Sequence, residues 1–391
     1  MQHVLAKSTK RVYDGRHVKW GERMAVIRFI KKNVVFCVAA AAALITACIV
    51  PPDAEYLTYF DWKTLACLFM TLAVVCALRN IKFFTILARR LVLVAGNLRG
   101  LFLMLICITF IGSMLIANDM ALITFLPLGY FALCTVGQER YMAYLFILQN
   151  ISANLGGMLT PFGNPQNLYL YSYFHIPTGE FCAIMLPPFL LAIGMLVLAC
   201  LPIKTQRLTI DQVFPEKLNI RRTVLYLVLF ALSLLIVFRV IPYWIGLLLV
   251  PTVLLVVDRE ALKMVDYPLL GTFFFFFIFA GNLSRMDAVN EMMSTLLAKD
   301  TLLVSVVSCQ GISNVPSAIL LSRFTNDYRA LLLGVNIGGT GTLIASLASL
   351  ITFSEFRVLY PGHGRRYFWL FTAINAVFLV VMTLASKWFF L

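Results

Sequence analysis

The chain has 391 residues, of which 61% are hydrophobic and 13% charged, with a mean hydropathy of +0.89 and a formal net charge of +14. That balance excludes a soluble domain, because apolar runs near the ~20 residues needed to cross a bilayer recur along almost the whole length. It also gives the basic excess a membrane meaning and argues against a nucleic-acid partner, since Lys and Arg collect in the cytoplasmic loops of such chains.

Residues 1–32 are too basic and too polar for a secretory signal peptide, and they read as a cytoplasmic tail against anionic headgroups. Crossings follow at roughly 33–50, 62–79, 139–174, 183–203, 222–239, 243–258, 267–283, 328–353 and 367–389. The segments 98–136 and 301–326 are apolar too, but polar residues stand at their centres. With the N-terminus inside, nine crossings leave 25 Lys or Arg against 9 Asp or Glu on the cytoplasmic side, and 7 basic against 8 acidic residues outside. This is the positive-inside bias. It holds when 98–136 and 301–326 turn back, the first as a re-entrant hairpin from the cytoplasm and the second from outside. The C-terminus then lies outside, in a multi-pass protein of the plasma membrane.

One carboxylate is left at depth, Asp119, at the tip of the first hairpin. An intramembrane carboxylate is costly and marks a functional candidate. Capping a hairpin helix is the plainer role for it.

An internal repeat organises the rest. The first unit, 33–203, has a span at 62–79, an amphipathic stretch at 80–97, the hairpin 98–136, a broken helix at 139–174 and a span at 183–203. A cytoplasmic linker, 204–221, leads to the second unit, 222–391. That unit has a span at 267–283, an amphipathic stretch at 284–300, the hairpin 301–326, a broken helix at 328–353 and a span at 367–389. The tips read ANDMALITFLP (Ala117–Pro127) and SNVPSAILLSR (Ser313–Arg323), and the breaks contain NLGGMLT (Asn154–Thr160) and NIGGTGT (Asn336–Thr342). By the charge argument the units enter the membrane from opposite sides. The expected fold is therefore an all-α polytopic membrane protein with an inverted-topology repeat, two re-entrant hairpins and two discontinuous helices. Such repeats with matched broken helices belong to secondary transporters that bind their solute near the bilayer midplane.

Tips and breaks are chemically useful because a helix end leaves backbone N–H or C=O groups unpaired, which attract anions and cations respectively. Asn118 and Asn314 add a side-chain amide at each tip. The first break contributes Thr160, Gly163, Asn164, Gln166 and Asn167, and the second Thr340, Thr342, Ser346 and Ser349. The expected solute ligands are Asn118, Asn164, Gln166, Asn167, Ser313, Asn314, Thr342 and Ser346. The expected coupling-ion residues are Ala117, Asn118, Asp119, Gly163, Asn314 and Ala345. Carbonyls beside one carboxylate suit a hard cation such as Na⁺ near Asp119. A proton on Asp119 suits the same place, since desolvation favours a neutral carboxyl group. The residues leave both open, and no other cofactor is expected.

Other classes fit less well. An intramembrane aspartyl protease needs two carboxylates that share the acid and base work. His3 and His17 lie in the tail and His175 and His363 in loops, which leaves no histidine for a membrane-bound transferase. No G-x-x-x-x-G-K-[ST] occurs, so ATP hydrolysis by this chain is not expected. The nine Cys include no C-x-x-C pair and seven lie inside apolar runs, as packing residues do.

At ANDMALITFLP, NLGGMLTPFGNPQN, SNVPSAILL and NIGGTGTLIASLASLIT, over roughly residues 33–390, the chain resembles the ion transporter superfamily in its citrate-transporter-like and arsenical-pump-type (anion permease) branch. The resemblance implies a homodimer in the lipid bilayer, a static scaffold and a transport domain that moves like an elevator. It implies a small anion or oxyacid as substrate, citrate- or dicarboxylate-like or arsenite-type, coupled to Na⁺ or H⁺, with no enzymatic activity. Sodium/proton antiporters of the same superfamily are the alternative. In its dicarboxylate members paired Ser-Asn-Thr tips hold the substrate. Here those tips are Ala117-Asn118-Asp119 and Ser313-Asn314-Val315, so both Thr are replaced, and an ionised Asp119 would repel an anion.

Overall fold

The computed structural model describes residues 29–30, 33–92, 95–206 and 218–391. The expected tail 1–32 and linker 204–221 therefore lie largely outside the described residues. All the described elements are helical, and no β-strand occurs among the described residues. Helix α1 (Val34–Ile49) leads through a 3₁₀ turn (Ala54–Tyr59) to α2 (Trp62–Asn80) and the amphipathic α3 (Phe83–Val92). Helices α4 (Leu98–Ile116) and α5 (Asn118–Thr135) form the first hairpin, and α6 (Met142–Gly156) and α7 (Pro165–Tyr173) the first broken helix. Next come α8 (Thr178–Cys200), α9 (Ile220–Val237), α10 (Tyr243–Val257), the short α11 (Arg259–Lys263), α12 (Tyr267–Ser284) and α13 (Asp287–Lys299). The second hairpin is α14 (Thr301–Ile312) with α15 (Asn314–Leu321), and the second broken helix is α16 (Tyr328–Ile337) with α17 (Leu347–Leu359). Helix α18 (Gly364–Ala385) ends the chain in a π turn.

Local signals start these helices. Asp61, Asp258, Asp266, Asp300 and Asp327 each accept a hydrogen bond from a backbone N–H three residues on, at 2.9–3.2 Å. Such carboxylate caps satisfy N–H groups that the helix itself cannot. Asp61 and Asp266 do this at matching places, at the starts of α2 and α12.

Among the described residues, seven helices are long and apolar enough to cross a bilayer by length and composition. Five of them, α2, α8, α9, α12 and α18, fall where crossings are expected. The other two are α4 and α5, the arms of the first hairpin, at 19 and 18 residues. The second hairpin is shorter, with arms of 12 and 8 residues, and α13 meets it at 119°. The remaining four expected crossings are built from shorter helices: α1 and α10, of 16 and 15 residues, and the two broken helices.

Packing sorts the helices into two sets. Helix α12 lies along α1, where Asn282 donates to Thr46 Oγ1 at 3.2 Å, and α2 packs on α9, α10 and α11. The buried Asp258 ties α2, α9 and α11 together by accepting from Asn80 and from the Tyr226 hydroxyl. The second set gathers the hairpins and broken helices, with α4 and α5 on α6, α14 and α15 on α16, and α17 against α5 and α6. The sets meet where α15 lies on α12 and α7 on α2. At that seam Arg323 donates to the Tyr59 carbonyl and Arg239 to the Tyr171 carbonyl, both at 2.6 Å.

Candidate functional site

The two hairpins turn in the same way. A single residue joins the arms of each, Ala117 at φ 63°, ψ 154° and Ser313 at φ 75°, ψ 157°. This region is strained for any residue with a Cβ. In the next residue the side-chain oxygen caps the new helix: Asn118 Oδ1 accepts from Asp119 N at 2.9 Å, and Asn314 Oδ1 from Val315 N at 3.0 Å. Both asparagines are buried.

Each break lies beside its own hairpin. Thr160 Oγ1 donates to the Met114 carbonyl at 2.9 Å, and Thr342 Oγ1 to the Gln310 carbonyl at 3.1 Å. The glycines make that approach possible. A Cβ on Gly156 would stand 2.3 Å from the Phe110 carbonyl oxygen, and one on Gly338 would stand 2.8 Å from Cys309 Cβ. The opened turns are then held differently. In the first break Asn167 Nδ2 donates to the carbonyls of Gly157, Met158 and Thr160 at 3.1–3.3 Å. In the second the hairpin residue Gln310 supplies the clamp, donating to the carbonyls of Gly338 and Thr340 and accepting from Thr342 N at 2.8 Å.

The two asparagines of the Asn-x-Gly-Gly segments join these parts. Asn118 Nδ2 donates to Asn154 Oδ1 at 3.1 Å, which fastens the first tip to the first break. Asn336 donates to Asn167 Oδ1 at 2.6 Å and accepts from Asn164 and Gln166 at 3.4 Å, which fastens the second broken helix to the first break. Asn314 N donates to the Ala345 carbonyl at 2.9 Å. A Cβ on Gly339 would stand 3.0 Å from Asn314 Nδ2 and 3.8 Å from Asn154 Oδ1, so the second tip and the first break face each other across that glycine.

The expected ligands Asn118, Asn164, Gln166, Asn167 and Asn314 are thus gathered in one buried amide junction. Ser346 is buried at the start of α17, where its Oγ accepts from Ser349 N at 3.2 Å. Thr342 is exposed, and Ser313 donates to Asn314 Oδ1 at 3.3 Å. Of the expected coupling-ion residues, Ala117 and Asp119 stand at the first tip, Ala345 offers its carbonyl to the second tip, and Gly163 lies against the Gly157 carbonyl. Asn154, Asn336 and Gln310 were not expected as site residues. The first two were visible as the repeated Asn of Asn-x-Gly-Gly, whereas Gln310 carried no signal. Asn150 was also unexpected; it reaches across to α17, donating to Thr352 Oγ1 and accepting from Ser349 at 3.4 Å.

Four polar atoms of this region are buried and have no hydrogen-bond partner: Asp119 Oδ1, Asn154 Nδ2, Asn164 Oδ1 and Gln166 Oε1. All belong to the first hairpin and first broken helix. Buried polar groups are almost always paired, with protein, ordered water, an ion or a ligand, so these four atoms are candidates for such a partner.

A family model described as a citrate transporter matches residues 24–327. The chain belongs to the citrate transporter family. Among its relatives is an uncharacterized transporter of Methanocaldococcus jannaschii, 33% identical over 75% of this chain and 80% of the relative. The inner membrane protein YbiR of Escherichia coli is 29% identical over 80% and 82% of the two chains. A silicon efflux transporter of Oryza sativa is 31% identical over 41% of this chain and 33% of its own length. The match to the citrate transporter family ends just past the second hairpin. It therefore contains both tips and the first break, where the unpaired groups lie. Family and relatives point to a multi-pass membrane transporter rather than an enzyme.

Proposed function

We propose that this citrate transporter family member is a secondary active transporter of a small anion or oxyacid, driven by Na⁺ or H⁺ through an elevator-type movement. One observation carries the reading. Two hairpin tips and two helix breaks meet in a buried amide junction whose unpaired atoms include both acceptors and a donor. In this reading the two units form an inverted repeat, the hairpins are re-entrant, and the set containing α4–α7 and α14–α17 slides along α2 and α12.

Asp119 has the coupling role. Among the described residues no three His, Cys, Asp or Glu side chains cluster as a metal site. A coupling Na⁺ would therefore be held by main-chain and amide oxygens beside this one carboxylate, or a proton would reside on Asp119 itself. The junction's own hydrogen bonds are made by amides, hydroxyls and main-chain groups, with no Lys or Arg among them. A site of that kind favours an uncharged oxyacid such as arsenous or silicic acid over a tricarboxylate, in keeping with the silicon efflux relative. A sodium/proton antiporter is the second reading, favoured by the unpaired Asp119 Oδ1.

The test is solute-dependent thermal stabilisation of the purified protein by succinate, citrate, sulfate and arsenite, with and without Na⁺. At least one solute should stabilise the wild type, and Asn118→Ala and Asn314→Ala should each abolish the effect. Wild-type stabilisation in both variants would move the solute site away from the tips.

A further inference from the structure

We propose that Asn336 is a positioning residue which turns the amide oxygen of Gln166, and not its N–H groups, toward the transported ligand. The inference rests on the transporter reading above and adds the polarity that the first break presents.

A primary amide offers two donors at one end and an acceptor at the other, so its neighbours decide which end faces a ligand. Main-chain carbonyls can only accept, and they anchor the chain of choices here. Three carbonyls take the Asn167 amide nitrogen, at 3.1–3.3 Å. Asn167 Oδ1 is thereby left as an acceptor, and Asn336 Nδ2 donates to it at 2.6 Å. The same Nδ2 donates to the Leu332 carbonyl, one turn back on α16, at 2.8 Å. With its nitrogen committed twice, Asn336 can show its other neighbours only an oxygen. Gln166 Nε2 donates to that oxygen at 3.4 Å.

The far end of Gln166 is then Oε1, which is buried and has no partner. Gln166 and Asn336 are each 1% exposed, so water does not reach the pair from the surface. Asn164 follows the same rule, donating to Asn336 Oδ1 and to the Asn154 carbonyl, but its oxygen lies against Gly157. Asn164 and Gln166 thus both show an unpaired oxygen set by Asn336, and Gln166 is the one of the two whose oxygen is not packed on Gly157. The ligand chemistry follows from the sign. An amide oxygen receives a monovalent cation such as Na⁺ or the donated O–H of an uncharged oxyacid, and it repels a carboxylate.

The test uses the purified full-length chain with two probes: Na⁺, replaced stepwise by choline at constant ionic strength, and arsenous acid at pH 7. Thermal midpoints read the half-saturating concentration of each. One probe should stabilise the wild type, and which one does separates the cation from the oxyacid. Gln166→Met, which leaves the bonds of Asn336 to Asn167 and Leu332 in place, should raise that concentration about tenfold or more, as expected for one lost ligand contact. Asn336→Ala should do the same, and the double variant should be no weaker than the weaker single, because Asn336 acts through Gln166. Where Asn336→Ala does not fold, Gln166→Met keeps the proposal testable, because it removes only the bond from Gln166 to Asn336 Oδ1 and leaves the two bonds donated by Asn336 Nδ2 intact. Multiplying effects in the double variant, or wild-type binding in Gln166→Met, would overturn the proposal. So would a wild type that responds to neither probe. Transport of citrate or succinate in that last case would leave the transporter reading standing and remove only this inference.

Discussion

Thr160 and Thr342 make the same bond in the two halves of the chain. Each stands six residues after the Asn of an Asn-x-Gly-Gly segment and donates to the carbonyl three residues before a hairpin tip, at 2.9 and 3.1 Å. Thr160 is partly buried and Thr342 exposed. Removing the hydroxyl should therefore cost more at the first site, where water replaces the lost bond less well. Thr160→Val is expected to lower stability by about 1–2 kcal/mol and Thr342→Val by under about 1 kcal/mol. Denaturant unfolding of the two variants checks the order, and a larger loss for Thr342→Val would contradict it.

The tips store strain. Ala117 and Ser313 hold φ near +70° with extended ψ, a region that glycine enters freely. Relief of strain outweighs the added freedom of the unfolded chain, so Ala117→Gly and Ser313→Gly should each stabilise the protein by about 1 kcal/mol. A β-branched residue does the reverse, and Ala117→Val should destabilise. Thermal midpoints in a common detergent decide it; a glycine variant that melts earlier than wild type would show that no strain is held there.

Order and kind of element were legible because their signals are local. The capping Asp61 and Asp266, the breakers in TPFGNPQN and the repeated Asn-x-Gly-Gly act within a few residues of themselves. The lengths of the hairpin arms were not legible. An apolar run reads alike whether it turns back or crosses, and α4 with α5 proved long enough to cross twice. The junction was legible only in part. Asn164, Gln166 and Asn167 stood out as amides at a break, whereas Asn154, Asn336 and Gln310 gain their roles from contacts 28 to 172 residues away. The repeated Asn-x-Gly-Gly marks Asn154 and Asn336 but not their partners, and nothing local marks Gln310.

Two glycines separate folding from binding. A Cβ on Gly156 would meet the Phe110 main chain at 2.3 Å, and backbone cannot yield as a side chain can. Gly156→Ala should cost about 1–3 kcal/mol of stability. A Cβ on Gly339 meets Asn314 Nδ2 at 3.0 Å, a side chain that can shift by a few tenths of an ångström, and the Asn336 carbonyl oxygen less tightly, at 3.3 Å. Gly339→Ala should cost less stability than Gly156→Ala and bind solute more weakly. Normal stability in the first, or unchanged binding in the second, would contradict this division.

Outside the spans, Arg285 pairs with Asp53 at 2.7 Å and holds its carboxyl below the ordinary value of 3.8. A carboxyl lowered in the folded state contributes stability above its unfolded pKa, and the contribution is lost as pH falls through the folded one. The stability difference between wild type and Asp53→Asn should accordingly be constant from about pH 7 to 5 and shrink below about pH 4. Because the pair is exposed its size should be small. A difference that grew on acidification would have the wrong sign.

We propose that Asp119, whose Oδ1 is unpaired at the first tip, couples a cation to solute movement through the junction. Uptake into proteoliposomes tests it most directly, with succinate, citrate, sulfate and arsenite each run under an imposed Na⁺ gradient, an imposed pH gradient and neither. Wild-type protein should accumulate one of these solutes under one gradient only, and Asp119→Asn should lose the dependence on that gradient. Accumulation by Asp119→Asn with the wild-type gradient dependence would remove Asp119 from the coupling.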